Sequence, residues 1–192
     1  MNTPHSPSQA ATAPIPPERR SLAAIPDAAL IDRFRIGLEN FDPRTVRLTD
    51  EQLDTAFLPD AGVGRWPCRV LLGHLADAEL AFVHRMRRII GEDGPVFSTW
   101  DENTFIDHGL YGTPTTGARH PVGAFLAAIH TLRQWTGPWL ATLTPEQFQR
   151  TGLHPQNGAQ SLRAILEYDT WHLEHHAWYL NRKVARLLGP AA

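Results

Sequence analysis

Apolar residues recur every three or four positions through four long stretches of this chain, a spacing that predicts amphipathic helices. The first stretch covers residues 27–40, where Leu30, Ile31, Phe34 and Leu38 form one stripe, and Asp42-Pro43 stops it. A short helical turn is expected in TDEQLDTAF, with Thr49 placed to cap it. The second long helix runs over 67–90, opened by Pro67 and striped by Val70, Leu71, His74, Ala78, Ala81, Phe82 and Ile89. A third covers 120–143, with Val122, Leu126, Ile129 and Leu140 inward and a kink expected at Pro138. The fourth covers 161–188 and ends at Gly189-Pro190. Nothing between these segments alternates with period two, so no strand is expected. The pattern predicts an all-α fold, a four-helix bundle with a long connection between its second and third helices.

That connection, residues 91–117, is rich in turn formers and aromatics, and loops of such length in compact domains usually carry function. Residues 1–24 have no hydrophobic period and many Pro, Ala, Ser and Thr residues, which predicts a mobile tail before a domain over 25–190.

Composition narrows the classes. A net charge of -2 gives no basic footprint for nucleic acid. No run approaches the roughly 18 apolar residues of a membrane span, and the N-terminus lacks a secretory pattern. One cysteine, Cys68, excludes an intrachain disulfide and fits a reducing compartment, so a soluble cytoplasmic protein is expected. Cys68 reads either as a small buried side chain or, near a helix start, as an acidified thiol. Lys183 is the only lysine; every other cation is a scattered arginine, which reads as genomic bias.

The stripe of the fourth helix holds the unexpected residues. Leu162, Ile165, Leu166, Leu173, Leu180, Val184 and Leu187 define its inward face, and the same spacing puts Asp169, His172 and His176 there. His172 and His176 are four apart, so their Cβ atoms lie about 5–6 Å from each other, near enough for both imidazoles to ligate one ion. His74 adds a third inward ring from the second helix. Two readings stand at this point. The rings share a divalent cation, or each finds a hydrogen-bond partner in a polar network, since a buried polar group left alone costs about 1–3 kcal/mol. A zincin is excluded, because Leu173 follows the first histidine where H-E-x-x-H needs Glu. Glu174 is two residues on, about 200° around the helix, and is expected in solvent. His175 flanks the pair and reads as a surface or outer partner, with a ligand role as the alternative; His5, His84, His108, His120, His130 and His154 have no partner at ligand spacing and read as background.

Three segments carry a resemblance. RWPCRVLLGHLADAELAFVHRMRRII resembles the W-x-x-R-x-x-x-x-H-L-A-D segment of the DinB-like (YfiT-like) metalloproteins. FSTWDENTF is similar to the D-E-N segment that follows it in many members, and SLRAILEYDTWHLEHHAWYL to their closing helix with its H-x-x-x-H pair. The order and spacing agree from Leu30 to Leu188. The resemblance implies a four-helix bundle, often a homodimer, with a divalent ion such as zinc or nickel held by His74, His172 and His176. It also implies the activities found in the family: thiol S-transferases using low-molecular-weight thiols, mycothiol-dependent isomerases, and members described as metal-dependent hydrolases.

Three protein ligands with an open position are the signature of a catalytic metal site. The leading expectation is therefore an ion that activates a thiol or a water on a small-molecule substrate, with Asp77 or Asp101 orienting an imidazole or accepting the proton. The bland readings are an ordinary Arg-paired carboxylate for Asp77 and a turn or helix cap for Asp101. Trp100, Phe105 and Tyr111 wall a pocket or pack in the core, and Trp135 and Trp139 read as core or dimer interface. The rival class is a non-catalytic metal-binding, stress-response protein that works as a dimer.

Overall fold

The structure is a computed structural model that describes residues 15–112 and 119–190. The four long helices appear as expected: α1 (Asp27–Arg35), α3 (Cys68–Gly91), α5 (Val122–Leu140) and α7 (Leu162–Leu188), with short helices α2 (Asp50–Leu53), α4 (Glu102–Asp107) and α6 (Pro145–Phe148) between them. Both α3 and α1 pack against α5 and α7, so α1 and α3 take opposite corners of a four-helix bundle. Caps fix where the chain enters these helices. Thr49 and Gln52 form a reciprocal capping box on α2, and Ser161 Oγ accepts the Ala164 N–H at 3.1 Å to start α7.

Four expectations are corrected. Helix α1 is α-helical only to Arg35 and continues as a 3-10 turn over Gly37–Asn40. The third long helix spans Val122–Leu140 rather than 120–143, which puts Pro138 inside its last turn. Two short antiparallel strands, β1 (Thr151–His154) and β2 (Gly158–Ser161), stand before α7 where no strand was expected. The missed signal is Asn157-Gly158: Gly158 has φ +75°, the left-handed conformation that closes a three-residue hairpin turn. Finally, the chain is built into the domain before residue 25. A 3-10 turn over Arg19–Leu22 buries Leu22 in the core, and Trp171 Nε1 donates to Pro17 O at 2.8 Å. The remainder of the expected tail, residues 1–14, lies outside the described residues.

The core has two apolar clusters. One gathers Leu30, Phe34, Phe82, Met86, Ile89 and Leu166; the other Leu71, Leu72, Leu75, Ile129, Leu173 and Leu180. Each such leucine, fully buried, stabilises the fold by about 1.5–3 kcal/mol. Between the clusters lies a charged layer. Arg133 of α5 donates to Glu79 of α3 at 2.7 Å, to Asp169 of α7 at 3.0 Å and to the Phe34 carbonyl at 2.9 Å. All three side chains are buried. Among the described residues Glu79 Oε1 and Asp169 Oδ2 have no donor, and burial together with the Glu79 charge pushes the Asp169 carboxyl well above its usual range. Burial raises the Glu79 carboxyl as well, so the two carboxyls lean on the one guanidinium to hold their charge.

Lys183 is another buried cation. Its Nζ donates to Gly64 O at 2.7 Å and lies 4.5 Å from the centre of the Phe57 ring. Burial pushes it down to about 8 from an ordinary 10.5. Between those values the unfolded chain binds more protons than the folded one, so this side chain adds stability as pH rises. Urea unfolding of the wild type and Lys183→Met is expected to show the difference moving toward the wild type by about 2 kcal/mol from pH 7.5 to 10. A difference that stays flat over that window contradicts the depressed lysine. The nearby Cys68 thiol is buried and pushed up to about 11, so the acidified-thiol reading is corrected.

Candidate metal centre

Helices α3 and α7 bring His74, His172 and His176 together: one ring nitrogen of each lies within 4.8 Å of the others. The ring centroids are 4.5 Å apart for His172 and His176, 5.1 Å for His74 and His172, and 5.2 Å for His74 and His176. His74 and His172 are buried and His176 is half-buried. Burial lowers His74 to about 4, and burial with its histidine neighbours lowers His176 to about 3 and His172 well below the ordinary value. At neutral pH all three rings are therefore uncharged and present lone pairs.

The donor set fits a divalent cation. His74 Nε2 and His172 Nε2 are 3.2 Å apart, near the about 3.3 Å expected of two nitrogens each about 2.0–2.1 Å from one tetrahedral ion. No carboxylate, hydroxyl or backbone group is hydrogen-bonded to these nitrogens among the described residues, so the polar-network reading finds no partners there beyond the rings themselves. Trp66 walls the cluster, stacked on His176 at 6.1 Å, and Trp100 lies 5.6 Å from His74.

Neighbouring expectations divide. Asp101 is exposed and caps α4, accepting from the Asn103 N–H at 2.9 Å, as its bland reading had it. Asp77 faces a separate groove toward Trp100 and Phe105; burial raises its carboxyl against the pull of the Tyr111 hydroxyl. Neither carboxylate hydrogen-bonds to a histidine among the described residues. Glu174 is not in solvent: it is buried and takes a two-pronged bond from Arg33 at 2.6 and 2.8 Å, which ties α7 to α1. His175 is half-buried against Trp171, 4.9 Å away, at the edge of the cavity. Trp135 is exposed, with the Arg87 guanidinium 3.7 Å from its ring centre, while Trp139 is packed against the core. Tyr111 is buried over Gly73, next to His74. A Cβ at Gly73 would sit 2.5 Å from the Tyr111 ring, so Gly73→Ala is expected to cost about 1–3 kcal/mol in urea unfolding; unchanged stability would mean that the ring moves freely.

The three rings open into a cavity of about 710 Å³. Its far wall holds residues that the sequence left as background: His154 from β1, and Arg85 three turns along α3 from His74. No ligand-spacing signal marks His154. The α3 stripe, followed beyond Phe82, reaches Arg85.

Residues 33–180 match the DinB superfamily, and the chain belongs to it. It is 30% identical over 142 residues to "Putative metal-dependent hydrolase YfiT" of Bacillus subtilis, covering 73% of this chain and 74% of that protein. A protein of Oceanobacillus iheyensis, also named "Putative metal-dependent hydrolase", is 29% identical over 131 residues, 68% of this chain and 70% of its own length. The solved structure of the Bacillus subtilis protein, described as "a probable metal-dependent hydrolase with an unusual four-helix bundle topology", superposes with a TM-score of 0.70 at 25% identity, covering 88% of this chain and 93% of that one. No helix among the described residues is long and apolar enough to cross a membrane.

Proposed function

We propose that His74, His172 and His176 hold one divalent cation, zinc or nickel, and that the protein is a metal-dependent hydrolase or thiol S-transferase. The observation that carries this reading is the convergence of three uncharged imidazoles, each offering a nitrogen within 4.8 Å of the others, at the wall of an open cavity. The names of the related proteins support the hydrolase side of it. Held by His74, His172 and His176, a divalent cation would supply Lewis acidity toward a water or thiol.

The chain's own residues supply the rest. Trp66 and Trp100 flank the rings and limit water on the apolar side, where charge interactions strengthen. Asp77 and Asp101 stand outside hydrogen-bond reach of the three rings, so proton acceptance by either needs an intervening water or a bound substrate. Glu174, fixed by Arg33, holds the outer face of α7 so that His172 and His176 point inward. The working form we propose is a homodimer in the cytoplasm.

Cobalt substitution tests this reading. The cobalt-loaded protein is expected to show the intense visible bands of a four-coordinate site, and these should shift when a low-molecular-weight thiol is added. A weak six-coordinate spectrum, unchanged by thiol, would contradict an open position that takes substrate.

A further inference from the structure

His74, Ala78, Phe82 and Arg85 lie on one stripe of α3, and all four line the cavity that begins at the three histidines. Eleven residues separate His74 from Arg85, so their Cα atoms are about 16 Å apart along the axis. The Arg85 guanidinium lies 5.6 Å from the centre of the Phe82 ring, which in turn lies 5.8 Å from the His172 ring, so one aromatic ring separates it from the imidazoles.

Arg85 is buried, yet it has no carboxylate partner among the described residues. Its one hydrogen bond runs from Nη2 to the Ser98 carbonyl at 2.9 Å, and its plane rests between the Phe82 and Phe97 rings at 5.6 and 5.7 Å. By contrast Arg33, Arg69, Arg133 and Arg163 each meet a carboxylate within 2.9 Å. An aromatic-clamped guanidinium with spare N–H groups facing a cavity is an anion receptor in want of its anion.

His154 completes it. Its Nδ1 accepts the backbone N–H groups of Gln156 and Asn157, both at 3.2 Å. The hairpin turn therefore fixes the tautomer: the proton sits on Nε2, which has no acceptor among the described residues. Burial, and then the nearby Arg85 charge, hold this imidazole below its ordinary range, so it donates as a neutral ring. Arg19 stands at the rim, 5.2 Å from the centre of the Tyr168 ring. Among the described residues Glu102 is the one carboxylate lining the cavity, against Arg85 and Arg19, so the wall beyond the histidines is net positive.

We propose that Arg85 and His154, with Arg19 at the rim, form an anion subsite, so that the molecule taken is elongated, with a carboxylate at one end and a thiol or scissile group at the other. The inference deepens the metal reading, from which it takes the position of the second end. It predicts selection by length and by charge.

Calorimetric titration of the full chain with ω-mercaptooctanoate, its alcohol analogue ω-mercaptooctanol, the short ω-mercaptopropionate, and octanoate without a thiol tests both ends. In the zinc-loaded wild type the long acid is expected to bind about tenfold or more tighter than the long alcohol, with the short acid showing no such advantage. Octanoate is expected to bind the metal-free wild type, and to lose that binding in Arg85→Gln. His154→Gln and the surface change Arg19→Gln should weaken it less. Equal affinities of long acid and long alcohol for the wild type, a comparison that needs no variant, would overturn the subsite. So would octanoate binding that Arg85→Gln and His154→Gln leave intact. If the thiols fail on loaded protein while octanoate still binds through Arg85, the subsite stands and the metal reading falls.

Discussion

Zinc added to metal-free His172→Ala is expected to leave its unfolding temperature where it was, while the wild type gains about 3–4 kcal/mol at a thousandfold excess of zinc over its Kd. For a chain of this size that gain is roughly 10 °C. Bound metal after dialysis should fall from one ion per chain to below about a tenth, because only His74 and His176 remain to hold the ion. The metal-free proteins make the decisive comparison. Among the described residues His172 has no hydrogen-bond partner other than His74 at 3.2 Å, so its loss without metal should cost no more than the packing of one buried ring. A large loss of stability in the metal-free variant, with no response of the wild type to zinc, would return the cluster to the polar-network reading.

Arg133→Met should have the largest effect on folding that is independent of metal. Among the described residues the guanidinium is the only cation bonded to Glu79 and Asp169, and all three side chains are buried. Removing it leaves two carboxyl groups in an apolar interior without a counter-charge, and breaking a buried pair in this way costs about 3–5 kcal/mol. The triple change Arg133→Met, Glu79→Gln, Asp169→Asn removes the stranded charge and should recover a good part of that loss. Chemical denaturation at pH 7 measures both. If the single and triple variants are equally unstable, the cost lies in packing around residue 133 rather than in charge.

The helices were legible because their stripes are long. His74, His172 and His176 were legible for the same reason: a polar residue at a core position of a regular pattern stands out, and the i, i+4 spacing gives two of them a shared direction. What escaped depended on partners distant in the chain. Glu174 points away from the stripe, and the angle around α7 alone reads as solvent; only the packing of α1 brings Arg33 to it. Leu22 lies in a segment with no period of its own and is buried because α7 is there to receive it. The hairpin over residues 151–161 is too short for alternation to show, and its Asn157-Gly158 turn was the only local sign. His154 followed the hairpin into obscurity: one histidine in a loop has no spacing to read, and its place beside Arg85 is a product of the fold. Asp101 was legible as a helix cap and Asp77 as a carboxylate near the site, but geometry places neither on the three rings.

The account rests on one cation shared by α3 and α7, and anomalous diffraction at the metal's absorption edge from crystals of the zinc- or nickel-loaded protein tests it most directly. The expected result is a single peak per chain, about 2.0–2.1 Å from one nitrogen each of His74, His172 and His176, with its remaining position open to the cavity. A peak elsewhere, or loaded crystals with no peak among these three rings, would contradict it.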